Sequence, residues 1–579
     1  MRKLLGILFV FLVVGLAAGS SIRPGVGTGP QPGGNVGGGR GPVGGGGGIQ
    51  YVAVPPENTG DGIEGGDTWT PVVDNSGADV FYFDPAADDG GDGSLESPYQ
   101  AFGTELVAGT IGQYNHSHVK QNSGDVEPGD VCVLLPGSHG YINFDEDYYF
   151  DDWVTLYAYS SSAVFDSMLI KEVDMLVVDG LNAKHIARHD WESGGGSGYQ
   201  DAPYQVHVTW DGATNKSDKI IFYNCNFGNW TAAQMAAAPD IETVNLHTVD
   251  CVRLWQVDRV LFEDCTFEGG RDGMKGGNVT NLNVVSSLFN RINGDGITLG
   301  RVDTLSIVGN TIKNIYHTDE DHCDGIQLWG PNDYGMIRRN EFIAAEETDW
   351  SFGYINEGGN YGTGFLLADM TDEGLGFVGE YHNNLTIQNN VLMMNQWGAI
   401  QAESARGTEI VNNTLVSLFS DPTSIYGVGC FPMIITTQDT TFQNRIYNNI
   451  CGGISVNNND DTYSWGEDHF NLTYSNDFSS AGFVFWQADT TATVFDLRLD
   501  EGSTAVDYGM SSGAPTIDYA GDDRPRNDYW DAGAYEHQSG KAQPTYTSHS
   551  HTFEETQSAR LMSGTPDGSY PTATTHILN

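Results

Sequence analysis

One short phrase with chemically active side chains occurs three times in this chain. It consists of an aspartate, a glycine, an apolar residue and a polar residue, and it occupies residues 272–275, 295–298 and 324–327. Because successive side chains of a β-strand point to opposite faces, the polar residues must project outward together if the apolar residues are buried. The polar residues are Lys275, Thr298 and Gln327. We take this surface as the candidate site, with Lys275 as a catalytic residue and Thr298 and Gln327 as substrate-binding residues.

The aspartates of the phrase are Asp272, Asp295 and Asp324. If the copies stack as parallel strands, about 4.8 Å apart, the carboxylates repel one another unless they are protonated, solvated or shared with a cation. One hypothesis is a calcium site at Asp295 and Asp324 that Asp321 completes, since calcium prefers carboxylate oxygens. The alternative is an acidic turn whose carboxylates accept hydrogen bonds from the backbone amides before the three glycines.

The densest group of titratable residues lies at 317–324, at the start of the third copy of the phrase. It contains two histidines and four carboxylates, and a histidine beside a carboxylate can act as a general base or acid near neutral pH. His322 and Asp324 are therefore candidate catalytic residues. The same group could hold calcium or a transition metal, or it could be a solvated acidic loop.

Basic residues are concentrated near this group. The chain has 26 basic and 76 acidic residues and a formal net charge of −50, yet seven of the basic residues lie between Arg271 and Arg339. Unless the clustering is due to chance, such a strip on an anionic protein can attract and hold a polyanion. Arg271 and Arg338 are candidate substrate-binding residues on this basis, together with the aromatic Trp329.

A second repeat indicates which elements position these residues. It contains an apolar pair, a polar step, a small or amide residue and another apolar residue, with a closest spacing of about 22 residues, which predicts a solenoid. The amide position is expected to form an inward ladder at a tight turn, where asparagine bonds its neighbours and adopts the left-handed backbone region. The ladder residues are Asn310, Asn340, Asn390, Asn413 and Asn449.

Cys225 and Cys265 occupy the same column of this repeat. We interpret them as small buried residues of the ladder. The alternative is a disulfide between neighbouring coils, which an oxidising compartment would permit.

The repeat with its asparagine column resembles the right-handed parallel β-helix of pectate-lyase-like proteins. The resemblance implies an all-β fold, a right-handed parallel β-helix with loop insertions. Residues 518–526 and 531–536 also resemble the end segment found on many secreted parallel β-helices. That second resemblance implies a structural role for these two segments.

A further resemblance concerns polysaccharide lyases of the chondroitinase-B and alginate-lyase type. Those enzymes place a lysine at the end of one coil's strand and an arginine one coil later, as base and acid. Lys275 and Arg301 occupy approximately these places, although the interval between them is longer and a glycine precedes Arg301. The resemblance implies that Lys275 and Arg301 are catalytic. The motifs of polygalacturonase-type hydrolases, mannuronan epimerases and the main pectate lyases do not occur.

The chain divides into four predicted segments. Residues 1–19 have two basic residues, an apolar run and small residues at the end, which predicts a secretory signal peptide, with an uncleaved anchor as the alternative. Residues 20–78 are a glycine-rich flexible linker, 79–537 form the β-helix domain, and 538–579 are a disordered tail. We therefore expect a secreted or cell-surface protein with no membrane insertion after signal cleavage.

These features together predict a secreted enzyme that cleaves an acidic extracellular polysaccharide by β-elimination. Lys275 or His322 would be the base, Arg301 or Arg271 would neutralise the uronate carboxylate, and bound Ca²⁺ would assist. The strongly acidic surface argues against nucleic acid as a partner. The alternatives are an inverting glycoside hydrolase that uses Asp295 and Asp324, or an adhesin or structural β-helix without enzymatic activity.

Overall fold

The computed structural model describes the chain in segments. These are residues 50–52, 72–74, 78–87, 91–100, 102, 126–183, 204–210, 216–228, 230, 249–315, 323–343, 364–367, 381–394, 398–402, 404–417, 432–438, 444–458, 470–474, 478–485, 496–526 and 529–537. The predicted signal peptide, most of the predicted linker, the predicted tail and residues 316–322, with Asp321 and His322, lie outside them. In the described segments, no helix is long and apolar enough to span a membrane.

The described residues form short strands and one 3₁₀ turn, Phe478–Ser480. The first strands are β1 Gln50–Val52, β2 Val72–Asp74, β3 Val80–Phe83, β4 Val131–Leu134, β5 Gly137–Ser138, β6 Tyr141–Ala158, β7 Ala163–Phe165, β8 Ser167–Asp179, β9 Asn182–Ala183, β10 Tyr204–Thr209, β11 Asp218–Tyr223, β12 Asn226–Gly228, β13 Asp250–Trp255, β14 Arg259–Glu263, β15 Thr266–Glu268, β16 Met274–Val285, β17 Leu288–Ile292, β18 Ile297–Val308 and β19 Thr311–Ile315. The remaining strands are β20 Ile326–Leu328, β21 Tyr334–Arg338, β22 Glu341–Ile343, β23 Phe365–Leu367, β24 His382–Asn383, β25 Leu385–Gln388, β26 Val391–Met394, β27 Gly398–Ala402, β28 Ala405–Arg406, β29 Glu409–Val411, β30 Thr414–Ser417, β31 Met433–Gln438, β32 Arg445–Tyr447, β33 Ile450–Cys451, β34 Gly453–Asn458, β35 Leu472–Thr473, β36 Phe483–Phe485 and β37 Asp496–Leu499.

Most of these strands stack in parallel into three sheets that each coil visits in turn. The first sheet contains β10, β13, the first halves of β16 and β18, and then β20, β23, β27, β31 and β34. The second contains β11, β14, the second halves of β16 and β18, and then β21, β25, β29 and β32. The third runs from β5 to β35. This repeated path is that of a parallel β-helix.

The core lies inside the coils, where equivalent apolar side chains stack on one another. Met274, Ile297, Ile326, Phe365 and Ile400 form one such column, and all five are buried. Each fully buried side chain of this kind contributes about 1.5–3 kcal/mol. Burial of this column turns the alternate side chains of the first sheet outward, which matters for the site.

The predicted asparagine ladder is confirmed. The Nδ2 of each asparagine donates to the Oδ1 of the asparagine in the next coil, from Asn310 to Asn340 (3.0 Å), Asn340 to Asn390 (3.0 Å), Asn390 to Asn413 (2.9 Å) and Asn413 to Asn449 (3.0 Å). Each Oδ1 also accepts from the backbone amide of the preceding ladder residue. The sequence analysis missed Asn471, which continues the ladder after Asn449.

The left-handed backbone conformation lies one residue earlier than the sequence predicts. It belongs to the residue before each ladder asparagine, with φ of 57° at Arg339, 53° at Asn389, 54° at Asn412 and 56° at Asn448. The physical reason is that this residue makes the turn, which directs the side chain of the next residue inward to its hydrogen bonds.

The ladder column continues upstream through smaller residues. The amide of Cys265 donates to Ser287 Oγ (3.1 Å), and the amide of Ser287 donates to Asn310 Oδ1 (2.8 Å). Cys225 and Cys265 are buried free thiols. The interpretation as buried ladder residues is therefore confirmed, and the alternative disulfide is not formed.

Replacing Asn390 by alanine is expected to destabilise the fold by about 2–4 kcal/mol, because buried partners on both sides lose their hydrogen bonds. Asn340 Nδ2 loses its acceptor, and the carbonyl of Ile337 loses its donor. The shift in the urea unfolding midpoint measures the effect. Asn383→Ala is the matched control, since Asn383 bonds Asp333 at the surface, and equal midpoints for the two variants would contradict the prediction.

The segment that resembles an end piece packs along the flank of the coils. Its backbone carbonyls accept from the turn residues of the asparagine column, for example Ile517 from Asn389 Nδ2 (2.6 Å) and Tyr519 from Arg339 Nε (3.0 Å). Arg524 is buried inside the segment and lies 3.7 Å from Glu536. These contacts give the two motifs a structural role, as the resemblance implies.

Candidate functional site

The outer surface of the first sheet carries the candidate site. Lys275 pairs with Thr298, and Thr298 pairs with Gln327, in neighbouring strands. These three residues therefore form one outward column, as the sequence predicts. Thr298 Oγ1 is hydrogen-bonded to Gln327 Oε1 at 3.1 Å, so the hydroxyl donates to the amide oxygen.

This column extends upstream to two residues that the sequence analysis missed. Arg253 pairs with Lys275, and His207 pairs with Arg253. Burial, and to a lesser extent Arg253, lowers the pKa of His207 to about 3, so its imidazole is neutral at physiological pH. This register is difficult to see in the sequence for two reasons. Residues 210–249 separate β10 from β13, and neither strand contains the aspartate–glycine pair of the repeated phrase.

The aspartates of the repeated phrase form a second column at the entrance of the same strands. Asp272 Oδ1 accepts a hydrogen bond from the amide of Asp295 (3.1 Å), and Asp295 Oδ1 accepts one from the amide of Asp324 (2.8 Å). These are the amides before Gly296 and Gly325, so the interpretation as backbone-capping carboxylates describes these contacts. Each of these hydrogen bonds connects the start of one strand to the start of the equivalent strand in the next coil.

Lys275 joins the two columns. Its Nζ donates to Asp272 Oδ2 at 2.7 Å. Burial lowers the pKa of Lys275, but the carboxylates of Asp272 and Asp250 outweigh burial, and the net pKa lies above the ordinary value. Lys275 is therefore an ammonium ion at neutral pH.

Asp250 is the next member of the aspartate column. Burial, followed by the charge of Asp272, raises the pKa of Asp250 to about 7, while Lys275, Arg271 and Arg253 act in the opposite direction. Asp250 thus gains its negative charge at a higher pH than an ordinary aspartate does. The charge of Arg271 thus acts on both Asp250 and Lys275.

A third column holds two tryptophans with two glycines between them. Trp255 pairs with Gly277, and Gly277 pairs with Gly300, while Trp329 follows Leu328, which pairs with Leu299. A Cβ at Gly300 would lie 2.8 Å from three atoms of the Trp329 ring, so this ring lies flat on the backbone of Gly300. Cζ3 of Trp255 lies 3.5 Å from the equivalent position at Gly277.

Arg301 lies at the corner directly after this column. It is exposed and has a φ of 57°, and Asn278 takes the same position one coil earlier with a φ of 57°. Beyond the corner, Arg301 lines a cleft of about 570 Å³ with Lys216 and Arg406. Arg301 therefore borders both the first sheet's outer surface and the cleft.

The cleft also contains two carboxylates that the sequence analysis missed, Asp303 and Asp333. They precede Thr304 and Tyr334, which pair in neighbouring coils. Burial, followed by the charge of Asp333, raises the pKa of Asp303. The signal in the sequence was an aspartate at the same place in two successive repeats.

Arg338 is not brought to this surface. It lies on β21 in the second sheet, pairs with Val308 and Gln388, and is 1% exposed. His322 and Asp321 lie outside the described residues. The structure therefore brings together Arg271, Lys275, Thr298, Gln327, Trp329 and Arg301 of the predicted residues, beside Asp295 and Asp324.

The predicted calcium site can be compared with the oxygens present. Asp295 and Asp324 supply the hard carboxylate oxygens that calcium prefers, although Asp295 Oδ1 already accepts from the amide of Asp324. Across the described segments, no three His, Cys, Asp or Glu side chains are arranged to hold a metal ion. Asp321, the third predicted ligand, is outside those segments.

Comparisons with known proteins agree with the parallel register. The family described as "Right handed beta helix region" matches residues 210–342. With the register of the three sheets, this makes the fold a right-handed parallel β-helix, as the sequence predicts. A search of curated proteins finds no match to the chain.

Solved structures similar to this chain include two lyases and an adhesin. Pectate lyase Pel9A is 15% identical over 80% of this chain and 98% of that chain, with a TM-score of 0.38. PfbA, a surface adhesin of Streptococcus pneumoniae, is 8% identical over 57% of this chain and 79% of that chain, with a TM-score of 0.34. The PL6 family alginate lyase AlyGC is 14% identical over 60% of this chain and 49% of that chain, with a TM-score of 0.30.

Proposed function

We propose that this right-handed parallel β-helix is an exported enzyme that binds an acidic polysaccharide on the outer surface of its first sheet and cleaves it by β-elimination. The observation that carries the proposal is the position of Lys275, an ammonium ion held by Asp272 on an outward column. Arg253 lies one coil before Lys275 in this column, and Arg301 lies at the corner beyond the next one. These cations face outward on a chain with a net charge of −50, which favours an anionic ligand at this place.

The chemistry requires a cation at the uronate carboxylate. A base removes the proton α to the carboxyl group, and the negative charge spreads onto the carboxylate. The C–O bond to the leaving sugar then breaks as the double bond forms, and the leaving oxygen takes up a proton from an acid or from water. Fixed positive groups lower the barrier because they stabilise charge that develops in the transition state. Lys275 and Arg301 are the groups that we assign to this stabilisation.

The base is the second requirement. A lysine with a raised pKa must first lose its own proton before it can accept one, so Lys275 serves as base only in its minor neutral form. His322, two residues before Asp324 in the sequence, is the alternative base. Ca²⁺ bound at Asp295, Asp321 and Asp324 would add positive charge near the same carboxylate.

An assay on purified protein tests the proposal. The protein is incubated with uronate polymers and with neutral glycans, with and without a chelator. A lyase gives the ultraviolet absorbance of an unsaturated uronate product, and loss of this signal with chelator would indicate the predicted metal. New reducing ends without that absorbance would instead indicate a hydrolase, and binding without cleavage would indicate an adhesin.

A hydrolase is the second candidate because of the carboxylates in the cleft. Asp303 and Asp333 lie in neighbouring coils, and a raised pKa on one of two close carboxylates suits a general acid. If the protein is a hydrolase, Asp303→Asn should abolish the formation of reducing ends. If it is a lyase that uses Lys275, the same variant should remain active in β-elimination.

The affinity for an acidic glycan is expected to fall as the pH rises through about 7. Asp250 is neutral below its pKa of about 7 and ionised above it, so the higher pH adds a negative charge beside Lys275. Titration of the dissociation constant between pH 5.5 and 8.5, values chosen to span roughly one and a half units on each side, measures this change. Asp250→Asn should remove the inflection, and an unchanged inflection in that variant would assign it to another group.

A further inference from the structure

We propose that Trp255 and Trp329 form a stacking subsite for the pyranose ring of a uronate residue, with the two indoles lying against the backbone at Gly277 and Gly300. The inference rests on the proposed function, since it assigns the part of the same surface that holds the sugar ring. It adds Trp255 and the two glycines to the residues predicted from the sequence. The subsite takes an acidic sugar in preference to a neutral one.

The glycines leave room for the indoles to lie against the sheet. A side chain at Gly277 would meet the carbonyl oxygen of Gly300 at 2.8 Å, and one at Gly300 would meet the Trp329 ring at 2.8 Å. The Trp329 ring therefore lies flat on Gly300, with its other face turned away from the backbone.

The two tryptophans present apolar surface to solvent. Trp255 is 38% exposed, and Trp329 is partly exposed. Trp255 is among the five most exposed large apolar residues of the described segments. The axial C–H groups of a pyranose form an apolar face that can pack on an aromatic ring, and the electron-rich face of the ring favours such C–H groups.

The neighbouring charges select the kind of sugar. Lys275 lies two residues before Gly277 on the same strand and faces the same side, as Thr298 does before Gly300. Arg301 follows Gly300 at the corner. A sugar ring on the indoles therefore lies beside the outward column that carries the ammonium ion of Lys275. A carboxylate on the ring can pair with this cation, which a neutral sugar cannot do.

The test uses intact protein with uronate oligosaccharides as the probe and their neutral, reduced counterparts as the comparison. Trp255→Ala and Trp329→Ala are each expected to raise the dissociation constant and the KM for the uronate probe about three- to tenfold, with kcat changed less than about twofold. Indole fluorescence of the wild type should change on binding, and the change should shrink in both variants. Trp329→Phe should recover most of the affinity.

Tyr529→Ala is the matched control, because Tyr529 is a 62% exposed aromatic residue of the C-terminal segment. Unfolding midpoints of the variants confirm that they are folded. Unchanged affinity and fluorescence response in both tryptophan variants would overturn the subsite while the proposed function stands. A wild type that neither binds nor cleaves a uronate probe overturns the proposed function, and this ligand assignment fails with it.

Discussion

Replacing Lys275 by methionine is expected to reduce cleavage of an acidic polysaccharide at least about a hundredfold, which is the usual effect of removing one charge-stabilising group from a transition state. Methionine keeps the length of the apolar stem but removes the ammonium ion that Asp272 holds at 2.7 Å. The measurement is the initial rate of formation of unsaturated product at saturating and at low substrate. Lys313→Met is the matched control, since Lys313 lies on β19 in the third sheet.

The role of Lys275 can be resolved with a second substitution. Arginine retains the positive charge but cannot be deprotonated under these conditions, so Lys275→Arg should keep much of the activity if the residue neutralises the carboxylate. The same variant should be inactive if Lys275 is the base. A base with a raised pKa also predicts a wild-type rate that keeps increasing into alkaline pH. Full activity of Lys275→Met would remove Lys275 from the mechanism altogether.

The fold could be predicted because the repeated unit carries its own register. An asparagine that must bond its equivalents above and below has to recur at each coil, so Asn340, Asn390 and Asn413 are visible in the sequence despite the insertions between them. The same register predicts that Lys275, Thr298 and Gln327 form one column, as they do in the structure. At these positions the residue type that the sequence repeats is also the one that the pairing between neighbouring coils requires.

The rest of the site depends on relations that the sequence does not mark. Trp255 and Trp329 belong to one column, but two glycines stand between them in the intervening coils, so the tryptophans do not recur from one coil to the next. Arg338 is excluded from this surface because β21 lies wholly in the second sheet, where Arg338 pairs with Val308 and Gln388 and is 1% exposed. Composition alone does not locate the corners at which β16 and β18 pass from the first sheet into the second. The corner residues are those with positive φ, Asn278 and Arg301.

The capping aspartates explain why the site and the fold share residues. Asp272 fixes the start of the next strand through the amide of Asp295 and also holds Lys275. Asp272→Asn should therefore lower both the stability of the fold and the rate of cleavage, whereas Lys275→Met should lower only the rate of cleavage. This difference can be seen by measuring the unfolding midpoint and the rate for both variants.

The second large effect is expected at Arg524, far from the proposed site. Its side chain is buried, donates to the carbonyl oxygens of Asp531 (3.1 Å) and Gly533 (2.8 Å), and lies near the carboxylate of Glu536. Arg524→Met removes the cation and leaves buried carboxylates without their countercharge, which typically costs about 3–5 kcal/mol. Because residues 510–533 bond the turn residues of several coils, the loss should release this segment from the flank.

Limited proteolysis and urea unfolding measure the release. Arg526→Met is the matched control, because Arg526 is partly exposed, with its Nη1 3.8 Å from Asp522, and a surface pair of this kind contributes at most about 1 kcal/mol. Arg524→Met should be cleaved within residues 510–537 under conditions that leave wild type and Arg526→Met intact. Equal protection of the two arginine variants would mean that the flank is held by the asparagine contacts alone. The buried ion pair would then serve only to satisfy its own charges.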